Sequence, residues 1–155
     1  GFFKTDDLQG VNRMKGFVKA HRERGILVDP ELVVRYETEQ REELPRAALR
    51  ELLNRTDRPT AIVCYNDQLA VALLDVVREA DLRVPEDLSI IGYDDSFLAT
   101  ATEIKLTSVN HPKEELGEKA AQLLISMLES GARQEEPGWE FAPQVVPRQS
   151  TASIE

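Results

Sequence analysis

Apolar positions along this chain change period several times, and the changes outline its elements. Two runs stand out, residues 61–65 and 88–93, each of strand length and rich in β-branched side chains. Each stops abruptly at two adjacent hydrogen-bonding residues, Asn66-Asp67 in one case and Asp94-Asp95 in the other. Between them Leu69, Ala72, Leu73, Val76 and Val77 recur at helical spacing. A strand, a helix and a second strand in that order predict parallel neighbours in an α/β sheet. Upstream, residues 1–4 read as a strand end. Asp6 or Asp7 then caps a helix carrying Val11, Met14, Phe17, Val18 and His21, stopped by Gly25. Residues 32–34 read as a short strand, and Leu44, Ala48, Leu49, Leu52 and Leu53 as a helix face. Residues 104–109 are extended. The last amphipathic helix, 115–128, carries Leu116, Ala120, Leu123, Leu124 and Met127 on one side, and residues 144–146 form a short strand in a polar tail that begins at Gln134.

Parallel α/β sheets bind ligands in the crevice beyond the carboxyl ends of their strands. Asn66, Asp67, Asp94 and Asp95 are therefore expected to converge on one pocket mouth. Such a mouth is rich in carboxylate and amide and poor in cations and nucleophiles, which suits a neutral, polyhydroxylated ligand. Asp94 can accept from two vicinal hydroxyls in charge-assisted bonds. Asn66 can both give and take, or it can cap the helix that follows. Tyr36, Tyr65, Tyr93 and Phe97 can wall the C–H side of a sugar, or simply fill the core. Asp67 and Asp95 read as caps or turn-shaping residues, and His21 as structural.

Composition narrows the function further. The 155 residues can form one domain, and 41% hydrophobic with 30% charged residues fits a soluble globular protein. No apolar stretch is long enough to cross a bilayer, and no signal peptide is visible at Gly1. A net charge of −9 argues against this segment gripping a phosphate backbone. The single cysteine, Cys64, excludes an internal disulfide and lies in an apolar strand. There is no Ser-His-Asp signature, no glycine-rich phosphate loop and no metal-spaced Cys/His cluster. Asp94 and Asp95, adjacent on a strand end, point in divergent directions and cannot act as a hydrolase pair. The chain reads as a binding module, not an enzyme, with neither cofactor nor metal.

Longer motifs carry a family resemblance. Pro59-Thr-Ala-Ile-Val-Cys-Tyr-Asn-Asp67, Val84-Pro-Glu-Asp-Leu-Ser-Ile-Ile-Gly-Tyr-Asp-Asp95, Leu106-Thr-Ser-Val109 with Leu116-Gly117, Val146-Pro-Arg148-Gln-Ser-Thr151 and Arg13-Met-Lys-Gly16-Phe17 span nearly the whole chain. Together they resemble the effector-binding core of the lactose- and galactose-repressor family. The segments 3–17, 64–67 and 106–112 look most like the arabinose-utilisation branch of that family. The resemblance implies a periplasmic-binding-protein-like (type I), doubly wound parallel sheet, here mostly the carboxy-terminal lobe of a two-lobed core. Residues 1–109 would be that lobe, 110–131 a crossover helix belonging to the missing amino-terminal lobe, and 132–155 a return strand and tail.

The same resemblance implies residue roles and partners. Arg13 would donate to the ligand while pairing Asp94. His111 would contact the effector from the crossover, and Gln9 and Asp7 would lie at the rim. The helix around residues 67–79 and the segment 98–104 would dimerise through Leu74, Leu98 and Ala101. The implied whole is a cytoplasmic bacterial transcriptional repressor that senses a pentose, L-arabinose, and touches operator DNA only through an amino-terminal domain missing here, with no membrane contact. The competing reading is a periplasmic sugar-binding protein of a transporter or chemoreceptor, distinguished by an export signal upstream.

Overall fold

The computed structural model describes residues 1–131 and 138–153. In chain order the elements are β1 (Phe2–Lys4), α1 (Leu8–Glu23), β2 (Val34–Tyr36), α2 (Glu43–Leu53), β3 (Ala61–Val63), α3 (Asp67–Glu79), β4 (Ser89–Tyr93), α4 (Leu98–Ala101), β5 (Thr107–Asn110), α5 (Lys113–Ser130) and β6 (Gln144–Val146). The strands form a pair, β2-β1, and a four-stranded set, β3-β4-β5-β6. A parallel bridge between Phe2 and Cys64 ties the two sets together. Pairing is parallel from β2 to β5, and β6 runs antiparallel to β5. This is the parallel α/β architecture that the alternating periods predict. Ile62 sits opposite Ile90, and Tyr93 opposite Val109, so β3, β4 and β5 end at one side of the sheet.

Local sequence explains the helix ends. Asp7 caps α1 by accepting from the Gly10 amide at 2.6 Å. Gly25, at φ +70°, turns the chain out of that helix in the left-handed conformation that favours glycine. Asn66 caps α3 by accepting from the Leu69 amide at 2.9 Å. The second strand falls at Val34–Tyr36 rather than at residues 32–34. Asp29 and Pro30 open a 3-10 turn over Pro30–Leu32, so the chain becomes extended only beyond it. The short helix α4 has too little periodic sequence to be foreseen, and α5 begins at Lys113, ahead of the expected start.

The core lies between the sheet and α2 and α3. Phe2, Leu49, Leu73, Val76, Leu88, Ile90 and Leu106 are completely buried. Each side chain of that size contributes about 1.5–3 kcal/mol by leaving water. The tail closes against the sheet through Ser150, whose backbone oxygen accepts from the Ile90 amide at 2.7 Å. Its hydroxyl donates to the Ile90 carbonyl at 2.6 Å and accepts from the Thr107 amide at 2.8 Å. Residues 132–137, which include the start of the polar tail, lie outside the described residues. Among the described residues no helix is long and apolar enough to cross a membrane.

Candidate ligand-binding site

The centre of the site is Arg13, projecting from α1 over the ends of β3 and β4. Its guanidinium donates to the Tyr65 carbonyl at 2.6 Å and to Asp94 Oδ1 at 3.1 Å. It also lies over the Tyr93 ring, 3.7 Å from the centroid, and near the Tyr65 ring at 4.8 Å. Two aromatic rings and two acceptors leave this long side chain little freedom. The Arg13 side chain is 15% exposed and that of Asp94 33%, so the pair faces solvent on one side only. Asp94 meets Arg13 through Oδ1 alone.

Asp7 braces the same wall. Burial pushes its carboxyl up, but bonds from the Gly10 amide, the Lys4 ammonium and the Tyr65 hydroxyl outweigh that and bring it to about 2. The Tyr65 hydroxyl donates to Asp7 Oδ2 at 2.8 Å, and Lys4 reaches the same oxygen at 2.9 Å. Burial, and then the bond to Asp7, push the Tyr65 phenol up. Beside this wall opens a hollow of about 510 Å³ whose lining includes Tyr36, Tyr65 and Asn66 together with the charged Lys4, Arg41, Glu42, Glu43 and Arg46. Tyr36 is 3% exposed and belongs mainly to the core, with only an edge toward the hollow. Asn66 uses its Oδ1 as the cap of α3, which makes both of its sequence readings compatible.

On the other flank His111 stacks on Tyr93, with ring centroids 6.3 Å apart and planes at 28°. It lines a second hollow with Asp95, Asn110 and Lys113. Arg13 contacts the rings of Tyr65, which lines the first hollow, and of Tyr93, on which His111 of the second hollow stacks. Gln9 is exposed in the first turn of α1. Phe97 is 78% exposed, at the edge of α4.

The four polar residues at the strand ends do not all converge. Asp94 and Asn66 open toward solvent, whereas Asp67 is 1% exposed and turned inward. Asp95 is turned away from Asp94 and pairs with Arg148 at 2.7 Å, as expected of adjacent strand-end residues. The helix cap is Asn66, not Asp67. Asp94 and Asp95 have φ of +96° and +44°, a region that costs residues with a Cβ about 1–3 kcal/mol each.

A family model for the periplasmic binding protein-like domain matches residues 2–151. The chain belongs to the periplasmic binding protein-like family. It is 52% identical over 157 residues to the arabinose metabolism transcriptional repressor of Halalkalibacterium halodurans, covering 98% of this chain and 42% of that protein. The repressor of the same name from Geobacillus stearothermophilus is 47% identical, covering 99% and 43%. The solved complex of the transcriptional regulator CelR with cellobiose superposes with a TM-score of 0.82 at 31% identity, covering 96% of this chain and 46% of that one. The chain thus spans less than half the length of these relatives. They are named as transcriptional regulators and repressors, not as enzymes.

Within this family domain, the residues expected to associate lie away from the site. Leu74 is half-buried in a groove of about 410 Å³ that it shares with the apolar Val71, Leu82 and Ile104 and the charged Asp75, Arg78, Arg83, Glu86 and Glu103. Leu98 is half-buried and Ala101 exposed, both on α4. Sequence reasoning missed the frame behind the ligand wall, made of Asp67, Ser96, Ser108 and Arg148. Its one legible signal is the pair of hydroxyl residues, Ser96 and Ser108, beside otherwise apolar strands.

Proposed function

We propose that this segment is the sugar-sensing part of a bacterial transcriptional repressor and that its effector is a neutral pentose, L-arabinose. The observation that carries the reading is the Arg13–Asp94 pair, held at 3.1 Å between Tyr65 and Tyr93. It offers a carboxylate acceptor and an oriented guanidinium donor beside aromatic faces, the combination a sugar's hydroxyls and C–H side require. The names of the two relatives, at 52% and 47% identity, support arabinose as the specific sugar. Asn66, Tyr65, Tyr36, Gln9 and His111 complete the proposed contacts, with His111 entering from the connection to α5. In this reading residues 1–109 are one lobe, α5 and β6 link it to a second, and the sugar lies between them. Sugar binding shifts the balance between two lobe arrangements through its different affinity for each. The protein is a cytoplasmic homodimer associating through Leu74, Leu98 and Ala101, and it reaches operator DNA through a separate amino-terminal domain.

Calorimetry on the full-length parent tests the ligand. L-arabinose should bind more tightly than D-ribose or D-galactose, and sugar phosphates should bind weakly, because Asp94 repels added negative charge beside the one cation it already pairs. Tightest binding by a sugar phosphate would sink the pentose reading.

A further inference from the structure

The turn that carries Asp94 sits in a backbone state that its residues do not adopt unaided. Two successive non-glycine residues, Asp94 and Asp95, have positive φ, which persists only where the surroundings over-determine it. The fastenings can be traced. The Asp94 amide donates to the Val109 carbonyl at 2.9 Å, and the Asp95 amide to Ser108 Oγ at 3.1 Å. The Ser96 amide and hydroxyl both donate to Asp67 Oδ2, at 2.6 and 2.9 Å. The Ser108 hydroxyl in turn donates to Asp67 Oδ1 at 2.6 Å. Both oxygens of one buried carboxylate therefore hold this turn, one directly through Ser96 and the other through Ser108 to Asp95.

The surroundings are shaped around that carboxylate. Asp67 is 1% exposed and lies in the first turn of α3, where the positive end of the helix offsets its charge. Gly92 of β4 leaves it room, since a Cβ there would collide with the Asp67 carboxylate. We infer that Asp67 is a positioning residue: it does not touch the sugar, and it fixes the left-handed Asp94–Asp95 turn so that Asp94 meets Arg13 and the ligand together. The ligand half of this inference rests on the sugar-binding reading above, and the turn half on geometry alone.

Two measurements on the full-length parent separate those halves. Hydrogen exchange without sugar reads the turn. In Asp67→Ala the Asp95 and Ser96 amides should exchange about tenfold faster or more, with Leu49 and Ile90 nearly unchanged. Calorimetry with L-arabinose reads the consequence, a dissociation constant raised roughly 10- to 100-fold by a carboxylate acting at one remove. Asp67→Asn is the gentler variant, because its carbonyl can still accept from Ser96 while its amide donates to a reoriented Ser108 hydroxyl. It should shift both readouts in the same direction but less. In an Asp94→Ala background, Asp67→Ala should add almost nothing to the loss of affinity. Unchanged exchange at Asp95 and Ser96 overturns the inference, as does protection lost equally across the chain in both variants. An affinity loss that persists in full without Asp94 also overturns it. A wild-type parent that ignores arabinose sinks the proposed ligand instead, and the exchange data then decide the role of Asp67 in the turn by themselves.

Discussion

Helices α3 and α5 are both amphipathic, yet they end in opposite circumstances. α3, with 13 residues, buries Leu69, Ala70, Leu73, Val76 and Val77. α5, with 18 residues, buries none, and Leu116, Leu124, Ile125 and Leu128 are 38%, 58%, 54% and 74% exposed. The difference comes from their neighbours. α3 crosses between two parallel strands and must lie on the sheet, while α5 connects β5 to the antiparallel β6 and leaves the sheet. A contiguous apolar stripe on a helix marks a surface that needs a partner. Among the described residues α3 is covered on its apolar face, whereas the apolar positions of α5 are left exposed.

Stability should show this contrast most strongly. Leu73→Ala removes a completely buried side chain and should lower the unfolding free energy by about 2.7–5 kcal/mol in denaturant titrations of this segment. Leu124→Ala in the same segment should stay within about 0.5 kcal/mol, as exposed positions do. In the full-length parent, where the stripe is proposed to be covered, Leu124→Ala should cost about 1.5 kcal/mol or more. Equal, small effects of Leu124→Ala in both settings would show that the α5 stripe has no partner in the parent.

Affinity should divide along the same line, because the proposed site takes Arg13, Asn66 and Asp94 from the segment before β5 and His111 from the connection to α5. Asp94→Ala should weaken L-arabinose binding by about 2–5 kcal/mol, since it removes a charged acceptor and strands its donors. Arg13→Ala should behave similarly, and the double variant should fall short of additivity because the two side chains bond directly. His111→Ala, which gives up the stack on Tyr93 and one polar contact, should cost about 0.5–1.5 kcal/mol by the same calorimetry. A larger loss from His111 than from Asp94 would move the centre of recognition from that segment to the connection.

Association tests whether the face of α3 that carries Leu74 is covered too. Leu74→Arg places a charge in the groove shared with Val71, Leu82 and Ile104. It should raise the dimer dissociation constant of the parent by about tenfold to a hundredfold, or about 1.4–2.7 kcal/mol, in sedimentation equilibrium. A monomeric wild-type parent at micromolar concentration, or a variant that unfolds, would assign this groove to the protein's own core.

These contrasts also explain what the sequence could reveal. Strand–helix alternation and a cap at Asp6 or Asp7 follow from local pattern, and the Arg13–Asp94 pairing from the family resemblance; the structure makes Asp7 the cap and joins Arg13 to Asp94. The strand near residue 34 was displaced because turn chemistry at Asp29-Pro30 overrode a short apolar run. The inward turn of Asp67 was invisible because an aspartate after an asparagine at a helix start looks the same whether it faces solvent or the sheet. Only the approach of β4 at Gly92, and of Ser96 and Ser108 from distant segments, decides which it is.

The smallest effect concerns acid. Asp7 has an ordinary value of 3.8 and is held at about 2 in the folded body. A depressed carboxyl contributes stability that is fully present above its unfolded value and is lost as pH falls through the folded one. The brace on Tyr65 should therefore hold at neutral pH and fade between about pH 4 and pH 2. Asp7→Asn keeps an oxygen to cap α1 but removes the titrating group. Wild type should lose stability more steeply than Asp7→Asn across that window, and the gap between them should close near its lower end. Tyr65→Phe removes one of the three donors, so it should cost about 0.5–1.5 kcal/mol at neutral pH and make the acid slope shallower. Urea titrations at stepped pH read both. Parallel slopes for wild type and Asp7→Asn would mean that this carboxyl is not what holds the Tyr65 wall of the site.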